Sequence, residues 1–139
     1  MAKYHDSGIS DVSFLAATNL SGLQYYFVNG GSITGEVASA TGASNPTPLG
    51  VLQNAPSAGQ EARVRIFGPS KLFCVTGGTC AIGNWRYVGS NACGQGIGLA
   101  SETGDIALGR NIGASMAVSA SRFLEVFLYG SGTCPAAAC

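Results

Sequence analysis

Few residues in this chain are of a type that does chemistry, and their spacing gives them little to work with. The one histidine, His5, stands beside Asp6, but a base on a terminal segment has no fixed geometry. A Cys–His nucleophile would need His5 to reach Cys74, Cys80 or Cys93, and nothing in the sequence brings them together. The carboxylates Asp11, Glu36, Glu61, Glu102, Asp105 and Glu125 are separated and mostly adjoin turns, where solvation accounts for them. No two of them are marked out as the acid and base of a glycosidase. The expectation is that this chain is not an enzyme and has no catalytic residues.

Metal and cofactor chemistry find no better footing. The cysteines Cys74, Cys80, Cys93, Cys134 and Cys139 are five, an odd number, and none forms a C-x-x-C pair. Zinc sites usually show two close ligand pairs. Local bridges Cys74–Cys80 and Cys134–Cys139 stay open, while reduced thiols, the upstream ones partly buried, suit a reducing cytosol better. "GGTCAIG" and "GQGIG" lack the Lys-Ser/Thr of a phosphate loop and the strand-to-helix setting of a dinucleotide fingerprint, so they read as turns. No cofactor and no metal are expected. Tyr25, Tyr26, Trp85 and Tyr87 could line a sugar-binding face, although core and interface packing is the commoner use of such rings.

The elements that must position these residues are strands. Apolar residues at helical spacing do not persist without interruption by one of the 21 glycines, each of which costs a helix roughly 1 kcal/mol relative to alanine. The period of two is clearer. In "ARVRIFG" Val64 and Ile66 face one way, and Arg63, Arg65 and Phe67 the other. In "RFLEVFLYG" Leu124, Val126 and Leu128 make an aliphatic face opposite Phe123, Glu125, Phe127 and Tyr129. That second face is too aromatic for plain solvent and should meet a loop or another subunit. "QYYFV", "GEVAS", "PLGVLQ", "KLFCV", "NWRYV", "GIGLA" and "DIALGR" are further strand candidates, separated by turns such as Asn29-Gly30-Gly31 and Gly77-Gly78. Many short strands at this spacing predict an all-β fold, a small β-barrel or β-sandwich. An N-terminal arm (1–20) and a short C-terminal tail (131–139) are expected to flank a single domain at 21–130. A weak echo links "PLGVLQNAPSAGQEARVRIFG" with "ALGRNIGASMAVSASRFLEVFLYG": each runs Leu-Gly, a small-residue turn, then an alternating strand. The two could be matching halves of one barrel.

Charge excludes several classes of partner. Seven basic and seven acidic residues cancel, and charged residues are only 10% of 139, against about 25% in an ordinary domain. No basic cluster exists beyond Arg63 and Arg65, so no nucleic-acid partner is expected. No apolar run approaches the roughly 20 residues that span a bilayer, and no membrane partner is expected. "MAKYHDSGIS" has no apolar signal core, which predicts that the chain stays at first in the cytoplasm where it is made. So sparing a use of charge suggests a surface partly covered by other protein, with a coat rich in Ser, Thr and Asn as the alternative.

One set of motifs goes further. Asn19-Leu20-Ser21 and Gln24-Tyr25, then Pro48-Leu49-Gly50-Val51-Leu52-Gln53, then Ala58-Gly59-Gln60-Glu61-Ala62, then Gly68 with Lys71, resemble the small head-decoration or cement proteins of tailed bacteriophages, the DUF2190-type family. The resemblance covers roughly residues 14 to 130, tightly in the first half and loosely in the second. The five cysteines and "GSGTCPAAAC" lie outside its pattern.

The resemblance implies a structural virion protein. It would bind the major capsid protein on the outside of the head as a symmetric homo-oligomer, a trimer in preference to a dimer, and cement the expanded shell after assembly in the host cytoplasm. Phe14 and Leu15 are then expected to touch the shell or a neighbour, and Phe123, Phe127 and Tyr129 to make capsid or subunit contacts. The alternatives are a virion carbohydrate-binding module, with Trp85 and the tyrosines presented to glycans, and another structural head or tail subunit.

Overall fold

The alternation in "ARVRIFG" continues further than the sequence reading took it. The computed structural model describes residues 10–40, 48–75, 82–99, 106–117 and 120–133. Among them nine strands form: β1 (Ser10–Ala16), β2 (Phe27–Gly30), β3 (Glu36–Ser39), β4 (Gly50–Leu52), β5 (Glu61–Val75), β6 (Tyr87–Ser90), β7 (Gly96–Gly98), β8 (Ile106–Asn111) and β9 (Ser121–Thr133). No helix is present among the described residues, and the fold is an all-β barrel. "ARVRIFG" and "KLFCV" are one 15-residue strand, with Ala62, Val64, Leu72 and Cys74 buried and Arg63, Phe67 and Lys71 exposed.

Gly68 and Pro69 looked like the end of a strand and are instead a handover within β5. Gly68 holds φ at 103°, a conformation open to a residue without Cβ. Pro69 has no N–H to offer a ladder, which confines it to irregular places in a sheet. At Phe67 the antiparallel partner of β5 changes from β1 (Ser10↔Phe67) to β9 (Phe67↔Tyr129).

Because β5 changes partners, the sheet closes on itself twice. The order β1-β3-β2-β4-β5 is joined by the β1–β5 pairing, and β5-β7-β6-β8-β9 by the β5–β9 pairing. Closure gives each of the nine strands at least two partners, so none stands as an edge strand among the described residues. Each ring encloses apolar side chains. Ala16, Leu20, Val28, Val37, Leu52, Ala62 and Val64 cluster in the first. Leu72, Cys74, Val88, Leu108, Leu124, Val126 and Leu128 cluster in the second, where Phe27 and Val51 reach across from β2 and β4. Burying one such Val, Leu or Phe side chain contributes about 1.5–3 kcal/mol, so the two crossing residues join the rings as well as filling them.

The rings repeat one another. In both, the first strand pairs parallel with the third and antiparallel with the fifth (β1–β3 and β1–β5; β5–β7 and β5–β9). In both, the second pairs antiparallel with the third and fourth (β2–β3 and β2–β4; β6–β7 and β6–β8). The fourth and fifth pair in the same sense (β4–β5 and β8–β9). The two Leu-Gly segments of the sequence echo therefore hold corresponding places.

β1 is a strand that the sequence did not announce. Ser10–Ala16 lies in the stretch read as an arm, and only Ala16 is buried, with Phe14 half-buried. Ser10 to Ser13 are all exposed although the strand closes the first ring, so no alternation marks it. β9 likewise runs to Thr133, into the stretch read as a tail.

Candidate docking surface

The outward face of β5 and β9 gathers rings. Residues of a strand point alternately to either side, and the ladder sets Phe67, Pro69, Lys71 and Phe73 opposite Tyr129, Phe127, Glu125 and Phe123. The opposite side of the same ladder buries Leu72, Leu124, Val126 and Leu128. At one end Phe73 and Phe123 meet edge-on at 5.3 Å, Tyr25 meets Phe123 at 5.8 Å, and Tyr26 stacks on Phe73 at 5.2 Å. At the other end Phe67 and Phe127 meet edge-on at 5.4 Å. Such pairs contribute about 0.5–1.5 kcal/mol each beyond their burial. The rings hold one another in place, yet Phe123 remains 53% exposed.

Charge is placed between and beside the rings. Lys71 Nζ lies 5.8 Å from the centre of the Tyr25 ring. Beyond Phe127 the ladder continues to Arg110 on β8 and Tyr87 on β6. The Arg110 guanidinium sits 4.2 Å over the Tyr87 ring and donates to the Tyr87 hydroxyl. That hydrogen bond holds the Arg110 proton more firmly than usual. Burial, and then the negative charge Tyr87 would carry, push the Tyr129 hydroxyl above its ordinary value against the pull of Arg110. Both groups keep their protons, so the strip stays cationic and aromatic near neutral pH.

The groups that might have done chemistry are otherwise engaged. Arg65 grips Asp11 through Nε at 2.7 Å and Nη2 at 3.0 Å, and Glu61 accepts from Ser13 Oγ at 2.8 Å. Cys74 is a buried free thiol pushed up to about 12 by desolvation, so the Cys74–Cys80 bridge is not formed, and Cys93 is free and exposed. His5, Cys80, Glu102, Asp105, Cys134 and Cys139 lie outside the described residues. Among the described residues no three His, Cys, Asp or Glu side chains gather as metal ligands. A cavity of about 350 Å³ at the junction of the rings is lined by Val12, Phe14, Phe27, Leu49, Ile66, Leu128 and their neighbours, none of them titratable. A smaller one of about 280 Å³, on the outward face, holds Tyr25, Gln53, Arg65, Lys71 and Glu125. There Arg65 is tied to Asp11, and Gln53 donates to Val51 O and Ser70 Oγ.

The residues singled out from sequence fall in two places. Phe123, Phe127 and Tyr129 share the outward face of β9. Phe14 turns half inward against the first core, while Leu15 beside it points out. Phe67 and Phe73, passed over in the sequence, belong to the same aromatic face. Their signal was the alternation of β5, hidden by splitting that strand at Gly68. The four rings considered for sugar stacking are divided, with Tyr25 and Tyr26 packed on Phe123 and Phe73, and Tyr87 beneath Arg110.

The fold has a solved counterpart. The chain is similar to the head fiber gp8.5 N base of bacteriophage phi29, with a TM-score of 0.55 and 12% sequence identity, covering 87% of this chain and 94% of that one. At that identity the likeness shows a shared fold. No family model and no curated protein matches the chain. The likeness to head-decoration proteins carried by the sequence motifs thus remains a resemblance, and what the comparison establishes is the all-β architecture.

Proposed function

We propose that this chain is a structural protein of a tailed-phage head, which binds the outside of the capsid as a symmetric oligomer and stabilises the expanded shell. The observation that carries the reading is the outward face of β5 and β9. It is a strip of mutually packed rings, with Phe67, Phe123 and Tyr129 exposed, around Lys71, Glu125 and Arg110, on a scaffold with no edge strand among the described residues. Interface cores favour aromatic residues and arginine and are depleted in other charges. The sequence motifs of the decoration family and the likeness of fold to a head fiber base both support a place on the phage head.

The mechanism is adhesion, without catalysis. Several copies around one axis engage several shell subunits at once, and linkage of this kind raises overall affinity by about 10²–10⁴ without any new contact. A ligand that binds only the expanded shell adds its binding free energy to that state. Internal DNA pressure then meets a more stable shell. Purified protein added to undecorated expanded heads should raise the temperature at which they release DNA, saturating at a fixed number of copies per capsid subunit. Heads whose release temperature does not move would count against cementing.

A further inference from the structure

Tyr25 and Trp85 are counterparts in the two rings. Each lies just before the second strand of its ring, with φ at 67° and 63°. Each donates its backbone N–H to the fourth strand, Tyr25 to Leu52 O and Trp85 to Asn111 O. The residue after each, Tyr26 or Arg86, accepts a bond back from Leu52 or Asn111.

Their surroundings differ. The second ring covers Tyr25: Phe73 N–H donates to its carbonyl at 2.9 Å, and Phe123 meets its ring at 5.8 Å. Phe73 also stacks on Tyr26. Trp85 has no such cover among the described residues and is 64% exposed. A large ring held in a left-handed backbone, in full view of solvent, is an anchor of the kind found at the centres of interfaces.

The side chains of the other half recur exposed, although its backbone donor does not: Leu15 N–H, the counterpart of Phe73 N–H, already donates to Gly35 O. The cross-strand pair Phe73↔Phe123, between the first and fifth strands of the second ring, corresponds to Leu15↔Glu61 in the first ring. Leu15 is 45% exposed and Glu61 is exposed too. The molecule thus makes one copy of this contact between its rings and displays the side chains of a second copy at separate places. By that correspondence Trp85 would meet Glu61, as Tyr25 meets Phe123, and Arg86, whose Nε is spent on Leu99 O, would lie over Leu15 beside Glu61, as Tyr26 lies over Phe73.

We infer that copies of this chain associate head to tail, with Trp85 and Arg86 of one molecule packed on Leu15 and Glu61 of the next. A heterologous contact of this type closes into a ring or runs on as a chain. Its side-chain contacts follow the joint already made between the two rings, without the backbone hydrogen bond that Phe73 gives Tyr25. The inference rests on the proposed function only for its oligomer, and binding to heads is measured separately, so either can fail while the other stands.

Two variants test it. Trp85→Asn keeps a residue that tolerates the left-handed backbone, and Leu15→Thr keeps one suited to an exposed strand. Sedimentation velocity over a concentration series should show self-association of the parent chain, weakened about tenfold or more in each variant. An equimolar mixture of Trp85→Asn and Leu15→Thr should form a heterodimer and stop there, since one variant keeps the Leu15 half and the other the Trp85 half. The mixture also shows that both variants fold. A parent chain that stays monomeric, or a mixture that does so while the parent associates, would overturn the inference.

Discussion

Gly50 and Gly109 stand at the same place in the two rings, each with its backbone pressed against the carbonyl of a partner strand. A Cβ at Gly50 would strike Arg65 O, and one at Gly109 would strike Phe127 O. The Leu-Gly echo in the sequence is the trace of this contact, since only glycine lets β4 lie on β5, and β8 on β9, so closely. Gly50→Ala and Gly109→Ala should each lower stability by about 1–3 kcal/mol, the usual cost of overpacking. Urea unfolding of the two variants would check this.

Asn111 is the buried polar residue that shapes the Trp85 turn. Its Nδ2 donates to Gly83 O and Ala114 O, and its Oδ1 accepts from Gly113 N. Asn111→Ala leaves these groups without partners and should cost about 1–3 kcal/mol. The emission of Trp85, the only tryptophan, should change at the same time, because the turn that holds it loosens. Denaturant melts followed by that emission measure both effects.

Phe123 and Leu124 are neighbours with opposite duties. Phe123→Ser removes a ring that meets both Tyr25 and Phe73 and should cost about 1–3 kcal/mol, about 0.5–1.5 for each pair, while weakening attachment to heads. Leu124→Ala opens the second core and should cost about 2–5 kcal/mol with little direct effect on attachment. Thermal unfolding and head-binding measurements on the pair separate the two roles.

Cys74 supplies a pH test. Desolvation raises its thiol from 9.0 to about 12 in the folded chain. The folded state therefore keeps a proton that the unfolded chain releases, and its contribution, complete below 9.0, is lost as pH climbs to about 12. Within that window the parent should lose stability more steeply than Cys74→Ala, by up to about 1.4 kcal/mol per pH unit. A thiol reagent at neutral pH should label Cys93 and spare Cys74 until the chain unfolds.

What could be read from sequence follows from where the apolar residues lie. β5 and β9 announced themselves because Val64, Leu124, Val126 and Leu128 alternate with outward side chains. β1 did not, because Ser10 to Ser13 are exposed even though the strand closes the first ring. Gly68-Pro69 resembles a turn, and only the exchange of β1 for β9 as partner shows why a strand would carry it. The aromatic face was half legible. Phe123, Phe127 and Tyr129 stand on one strand, whereas Phe67, Phe73, Arg110 and Tyr87 join them through registers that no local pattern encodes. Trp85 attracted notice for its chemistry, but its importance lies in its correspondence with Tyr25, a relation visible once both rings are folded.

Attachment to the phage head is most directly measured by co-sedimenting purified protein with undecorated expanded heads, beside Phe123→Ser. The account predicts saturable uptake at a fixed number of copies per capsid subunit and a marked loss of uptake in the variant. Protein that stays in the supernatant at every concentration would contradict it.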